Sequence, residues 1–194
     1  VANGDLEADS FEELMALAEK EPGSLAIGSA GTGTDMHLIG ELLQQVTGAE
    51  FLHVPYKGGG PAINDLVAGH IDLMVVVTSS ILPHIESGAV KPLLTFESER
   101  LDLLPEVPTV GELGYPEVEG DSRWALFAPA GTADDVVATL SGALERVDAN
   151  AKFRERLSDL GVVPAYGDGE VLAAYVAEQL GKWQAVVADA DLGE

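Results

Sequence analysis

The chain contains no cysteine and few basic residues. Its 194 residues include 10 lysines and arginines against 33 aspartates and glutamates, a formal net charge of −23. Without cysteine the chain forms no disulfide and no thiolate metal site, so its redox compartment cannot be inferred from the sequence. The negative charge repels nucleic acid and anionic lipid headgroups, and no basic cluster interrupts it, so we expect no nucleic-acid partner. An acidic, lysine-poor surface also suits high salt, where self-repulsion is screened.

Long apolar runs are missing as well. No run approaches the roughly 20 residues that cross a bilayer, and the first residues lack the basic-then-apolar pattern of a signal sequence. We therefore expect a chain that is either not exported or has been cut. What the sequence does have is an apolar fraction of 46% and 22 glycines. That composition is typical of a globular α/β protein.

The most informative stretch is residues 25–37, LAIGSAGTGTDMH. An apolar start, three glycines in six positions and a helical apolar pattern from Leu38 predict a strand, a tight loop and a helix. Such a loop directs backbone amides and the positive end of the helix dipole at one point, where an anion can bind. We predict that these amides face a cleft. The alternative is that the glycines only allow the strand and the helix to pack closely.

This loop approaches two catalytic motifs in its spacing but does not match either of them. Gly28 and Gly33 have the spacing of a phosphate-binding P-loop, but Thr34 stands where that motif has lysine. Ser29 has Gly31 two residues after it, but Ile27 two residues before it, so it does not form a nucleophile elbow. We therefore expect no catalytic residues and no cofactor.

The rest of the chain alternates strands and helices. Ser10 and Glu13 form a predicted capping box for a first helix, and one helical turn is expected near 109–113 within an irregular segment, 97–120. Further strands are predicted at 51–55, 71–77, 90–96, 124–128 and 162–165. Further helices are predicted at about 61–67, from 78 to about 87, at 151–160, at 170–188, and along an apolar stripe of Val136, Val137, Leu140, Leu144 and Val147. This order predicts a parallel or mixed sheet with helices on both faces and a ligand at the carboxyl ends of the strands.

Several polar residues follow predicted strands and could line one rim. A second glycine-rich turn begins at Tyr56 and Lys57, and Thr78, Ser79 and Ser80 begin a later helix. His37 either donates to a bound anion or is structural. Lys57 and Arg123 are either counter-ions for an anionic ligand or solvated cations. His37 and His53 lack metal-ligand spacing, so no metal site is predicted.

The motifs together resemble the tripartite tricarboxylate transporter substrate-binding proteins, the Bug or TctC family. The resemblance runs from about Ser10 to the C-terminus. It is carried by residues 29–34 with His37, and by the segments HVPYKG (53–58), GHIDLM (69–74), LPHI (82–85), PEVPTV (105–110) and LFAPAGT (126–132).

The resemblance implies a periplasmic-binding-protein-like fold of type II, with mixed sheets flanked by helices. It implies an exported protein, periplasmic or anchored on the outer face of the membrane. Such a protein captures a small carboxylate (a dicarboxylate, a tricarboxylate or an acidic amino acid) for membrane permease subunits. By similarity, one half of the ligand cleft is formed by Ser29, Ala30, Gly31, Thr32, Gly33, Thr34, His37, Thr78, Ser79 and Ser80. From their positions in the sequence, Tyr56, Lys57 and Arg123 are further candidate ligand-binding residues. A ligand-sensing interaction module and an enzyme acting on a small organic acid through Ser29 or His37 are the alternatives.

The chain departs from the family pattern in three places. Many members have a polar residue at Val76 and tryptophan at Arg123, and members carry a further N-terminal portion that supplies part of the cleft. We therefore expect residues 1–121 to be the second ligand-binding domain and residues 122–194 to be a return segment of an incomplete first domain. The helical stripe from Val136 to Val147 would then lack cover, so we expect either self-association or an additional N-terminal portion.

Overall fold

The computed structural model describes residues 1–120 and 122–189. The chain forms two compact units. One comprises Val1–Ser122 with the residues from Val186 onward, and the other is Arg123–Ala185.

The first unit is built on a five-stranded mixed sheet. Its strands are β1 (Ala2–Asn3), β2 (Ala26–Ser29), β3 (Leu52–Pro55), β4 (Leu73–Met74) and β5 (Val90–Lys91), in the order β3-β2-β4-β1-β5. β2 is parallel to β3 and β4, whereas β1 is antiparallel to β4 and β5. The predicted mixed sheet flanked by helices is confirmed, but β1 was not predicted because two residues carry no periodicity.

Among the described residues, this unit contains four complete helices: α1 (Phe11–Lys20), α2 (Asp35–Thr47), α3 (Gly59–Val67) and α4 (Thr78–Glu86). Ser10 Oγ accepts a hydrogen bond from the Glu13 amide at 3.2 Å, so the predicted cap of α1 is confirmed. A 3₁₀ helix (Pro116–Val118) ends the irregular segment. The predicted turn at 109–113 is present, since the Leu113 amide bonds to the Thr109 carbonyl at 3.2 Å.

The helices lie on both faces of the sheet. Leu73 and Met74 are neighbours on β4, and their side chains point to opposite faces. Leu73 packs with Leu14 of α1 in one core cluster. Met74 packs in a second cluster with Leu66 of α3 and Ile81 of α4. The sheet is therefore covered on both sides, as the sequence predicts.

Two predicted strands of this unit are much shorter than expected. The strand predicted at 71–77 contains only β4. Its neighbour β1 is two residues long and can pair with only a short part of this run. The strand predicted at 90–96 contains only β5 and, farther on, an isolated bridge from Thr95 to Thr109. Pro92 follows β5 directly and has no amide to donate to a ladder.

The second unit is helical. It contains α5 (Asp134–Asp148), α6 (Ala151–Asp159) and the greater part of α7 (Gly169–Asp189). The strands predicted at 124–128 and 162–165 are wrong: no residue of 123–185, all of which the structure describes, pairs in a ladder. The segment at 124–128 has the apolar pattern of a strand, but no neighbouring strand pairs with it or covers it. Trp124 and Phe127 are accordingly 69% and 72% exposed. No helix in the described ranges is long and apolar enough to cross a membrane.

Candidate functional site

The glycine loop between β2 and α2 is held by bonds to its own residues and to His37. The Gly31 amide donates to Ser29 Oγ at 3.2 Å, and the Gly33 amide donates to His37 Nδ1 at 3.1 Å. Thr34 caps α2 and donates its hydroxyl to the Gly31 carbonyl at 2.8 Å. Gly31 and Gly33 have φ of +142° and +77°, which side chains rarely adopt. The glycines are thus needed for the loop's conformation, and an anion could use these amides only by replacing internal partners.

The two glycine-rich loops lie side by side. The Tyr56 amide donates to the Ser29 carbonyl and the Gly58 amide to the Ala30 carbonyl, both at 3.0 Å. These bonds extend the parallel pairing of β2 and β3 beyond the ends of the strands. The structure therefore brings Ser29, Ala30, Tyr56 and Lys57 to one edge of the sheet.

Two histidines stack beneath the first loop. The rings of His37 and His53 lie 3.8 Å apart at an angle of 14°. His37 is buried, and its Nε2 lies 3.4 Å from Glu41 Oε1. His53 Nε2 lies 2.7 Å from Ser29 Oγ, and Ser29 is also buried. The stack joins β2, β3 and α2 at the point where the loop begins.

Burial, with a smaller contribution from nearby His37, lowers the pKa of His53 from 6.5 to about 4. Between these values the unfolded chain binds more protons than the folded chain, so this group's contribution to stability is complete above pH 6.5 and is lost as the pH falls toward 4. We expect the wild type to lose about 1 kcal/mol of unfolding free energy, relative to His53→Gln, between pH 7 and 5, after discounting for the ring's partial exposure.

The measurement is thermal unfolding of both proteins at several pH values, with an expected relative change of about 2–4 °C. Glutamine can still bond to Ser29 but does not titrate. His84→Gln, on α4, controls for the loss of a histidine elsewhere. Parallel pH profiles of wild type and His53→Gln would contradict the prediction.

Tyr56 connects the second loop to α3. Its hydroxyl donates to Asp65 Oδ2 at 2.7 Å, and Asp65 Oδ1 also lies 3.4 Å from His70 Nδ1. Burial, together with the bond to Asp65, raises the pKa of Tyr56 to about 12. The hydroxyl is therefore a firmly held neutral donor, and Lys57 beside it is exposed.

Three helices begin at the same edge of the sheet. α2, α3 and α4 follow β2, β3 and β4, which are parallel, so their N-termini lie beyond the carboxyl ends of neighbouring strands. α2 is capped by Thr34, whereas α3 and α4 have no side-chain cap in the described part of the chain. Thr78, Ser79 and Ser80 are the first residues of α4. This edge concentrates partial positive charge in an otherwise acidic protein.

Two residues near the boundary of the units have partners that the sequence did not reveal. Arg123 places its guanidinium 3.8 Å from the centre of the Tyr175 ring, within the second unit. Ser122 donates its hydroxyl to Asp35 in the first turn of α2. The predicted role of Arg123 toward a ligand stays a prediction.

The contact between Ser29 and His53 is a feature of the candidate site that the sequence did not predict. In the sequence, His53 has no histidine at metal-ligand spacing, so no role was predicted for it. The parallel register, in which Ile27 lies opposite His53, is what brings the ring to the end of β2. Within residues 1–120 and 122–189, no three histidine, aspartate or glutamate side chains gather as a metal site.

A mixed sheet whose parallel strands end in glycine-rich loops and helix N-termini is typical of α/β proteins that bind small ligands. The family model for the tripartite tricarboxylate transporter family receptor, TctC, matches residues 1–192, and the chain belongs to this family. It is a family of solute-binding receptors.

Among curated relatives, the chain is 36% identical over 190 residues to a UPF0065 protein from the tcbD-tcbE intergenic region of Pseudomonas sp. strain P51, covering 97% of this chain and 56% of that protein. Among solved structures, it is similar to Rpa4515 of R. palustris with adipate (28% identity, TM-score 0.90, 96% of this chain and 62% of that one). It is also similar to the periplasmic binding protein BugD (34% identity, TM-score 0.88, 98% and 64%). The chain thus spans little more than half of the curated relative and less than two thirds of each structure.

Proposed function

We propose that this chain is part of an extracytoplasmic solute-binding protein that captures a small carboxylate and passes it to the permease subunits of a tripartite tricarboxylate transporter. The observation that carries the proposal is the edge of the sheet where α2, α3 and α4 begin, since helix N-termini bind carboxylates through free amides and the helix dipole. Family membership and the relative that holds adipate support it. The location we propose is the periplasm or the outer face of the membrane.

Within this proposal, the ligand contacts are the amides and hydroxyls of the two glycine loops and of the first turn of α4. The N-termini of α3 and α4, which have no side-chain cap, are the more available donors, because the amides of the first loop already donate to Ser29, His37 and Gly31. Lys57, exposed beside the second loop, supplies a positive charge that attracts a carboxylate in an acidic protein. Residues 1–121 are proposed as a ligand-binding domain and 122–194 as part of another.

The test is calorimetric titration of the full-length protein with adipate, succinate, citrate and aspartate. We expect at least one of them to bind and hexanoate, a monocarboxylate as long as adipate, to bind more weakly. Absence of binding across the panel would refute the proposed function.

A second function, an enzyme acting on an organic acid, is favoured by one observation. Ser29 Oγ and His53 Nε2 are 2.7 Å apart, the geometry of a nucleophile and its base. However, Ser29 is 2% exposed, so its oxygen does not face a substrate. A turnover assay on the same carboxylates distinguishes the two functions, and we propose that it detects no product.

A further inference from the structure

The proton of His37 can be assigned from the atoms around its ring. A backbone amide can only donate, so the Gly33 amide at 3.1 Å requires a lone pair on His37 Nδ1. The neutral imidazole then carries its proton on Nε2, which lies 3.4 Å from the Glu41 carboxylate. Glu41 and Gly33 therefore favour the same tautomer from opposite sides of the ring.

The orientation of the ring is fixed by its neighbours. His53 covers one face at 3.8 Å, and His37 is 3% exposed. The titratable side chains in the small pocket around the ring are His37, Glu41 and His53, from α2 and β3. β2 contributes Ile27, Gly28 and Ser29 to the same wall. A ring packed in this way holds Nδ1 in one place.

The same stack holds the loop at a second point. Ser29 Oγ accepts from the Gly31 amide and lies 2.7 Å from His53 Nε2. Gly31 and Gly33 are the two loop residues with positive φ. One is therefore held by His37 directly, and the other through Ser29 next to His53.

We propose that His37 is a positioning residue: its unprotonated Nδ1 holds the Gly33 amide and so fixes the glycine loop in the conformation that the proposed carboxylate site uses. The expected effect on ligand binding rests on the proposed function, whereas the contact between His37 and the Gly33 amide does not. His37 acts on a ligand through the loop and does not contact it, because its nitrogens already face Gly33 and Glu41.

The test compares two variants of the full-length protein. His37→Phe keeps a ring for stacking and removes the acceptor, whereas His37→Asn offers an oxygen near the position of Nδ1. In His37→Phe we expect amide hydrogen exchange at Gly33 to become about tenfold faster and adipate affinity to fall about tenfold. His37→Asn should recover most of both. The Gly88 amide, bonded to the Ile85 carbonyl at 2.9 Å, serves as the internal reference and should not change.

Nitrogen NMR of the wild type gives a second readout that needs no variant to fold. It should show His37 protonated at Nε2 alone. Protonation at Nδ1, equal effects of asparagine and phenylalanine, or unchanged Gly33 exchange in a folded His37→Phe would overturn the inference. If the wild type binds no carboxylate, the proposed function fails, while the NMR and exchange results still decide whether His37 positions the loop.

Discussion

Replacing Gly33 with valine should lower the carboxylate affinity of the full-length protein by at least about tenfold, a difference of about 1.4 kcal/mol in binding free energy. Gly33 is exposed at the loop tip with φ of +77°, so a β-branched side chain forces the loop out of its conformation and obstructs the approach of an anion. Calorimetry with the tightest ligand of the carboxylate panel measures the affinity, and thermal unfolding measures stability.

The chain offers a matched control. Gly88 is also exposed and has φ of +75°. Apart from the glycine itself and its two chain neighbours, no described residue has an atom within 4 Å of the position that a Cβ would take at Gly33 or Gly88. Gly33→Val and Gly88→Val should therefore cost similar stability, about 1–2 kcal/mol of backbone strain. Only Gly33→Val should weaken binding. An equal loss of affinity in both variants, or none in Gly33→Val, would show that the conformation of the glycine loop at Gly33 does not determine ligand binding.

The sequence predicts the parts of the fold that depend on local chemistry. Ser10 caps α1 as its spacing with Glu13 indicates, and a loop that contains Gly31 and Gly33 separates β2 from α2. Strand lengths were not predictable in this way, because a ladder ends where its neighbour ends. The apolar run at 71–77 is a strand only where β1 and β2 lie beside it. The run at 124–128 has an apolar pattern and no pairing among the described residues.

The candidate site shows the same difference between features set by local sequence and features set by tertiary contacts. The two glycine loops could be expected at one edge, because parallel strands end together, and the structure joins them through Tyr56 and Gly58. The stack of His37 and His53 could not be expected, because their contact depends on the register of β2 against β3 and on the rotation of α2. Neither the strand register nor the rotation of the helix can be derived from the spacing of residues along the chain.

The second unit presents an apolar stripe along α5. Val136, Val137, Leu140, Leu144 and Val147 were predicted to share one face of the helix, and each is between 41% and 45% exposed. Because these side chains are already more than half covered, covering the rest is worth about 0.6–1.3 kcal/mol each, which in sum is a substantial part of the stability of a domain. The chain spans 56% of a curated relative, and we propose that in a longer protein residues beyond these 194 cover the stripe.

The 194-residue chain on its own should therefore self-associate through α5. We expect light scattering to show a mass above that of the 20.2 kDa monomer, and the double variant Leu140→Glu/Leu144→Glu to return it to a monomer. Ala138→Glu/Gly142→Glu adds the same charge on the opposite side of the helix and should leave the association unchanged. A monodisperse wild-type monomer that unfolds cooperatively and binds carboxylates as well as the full-length protein would show that residues 122–194 need no further cover, and that the proposed domain division is wrong.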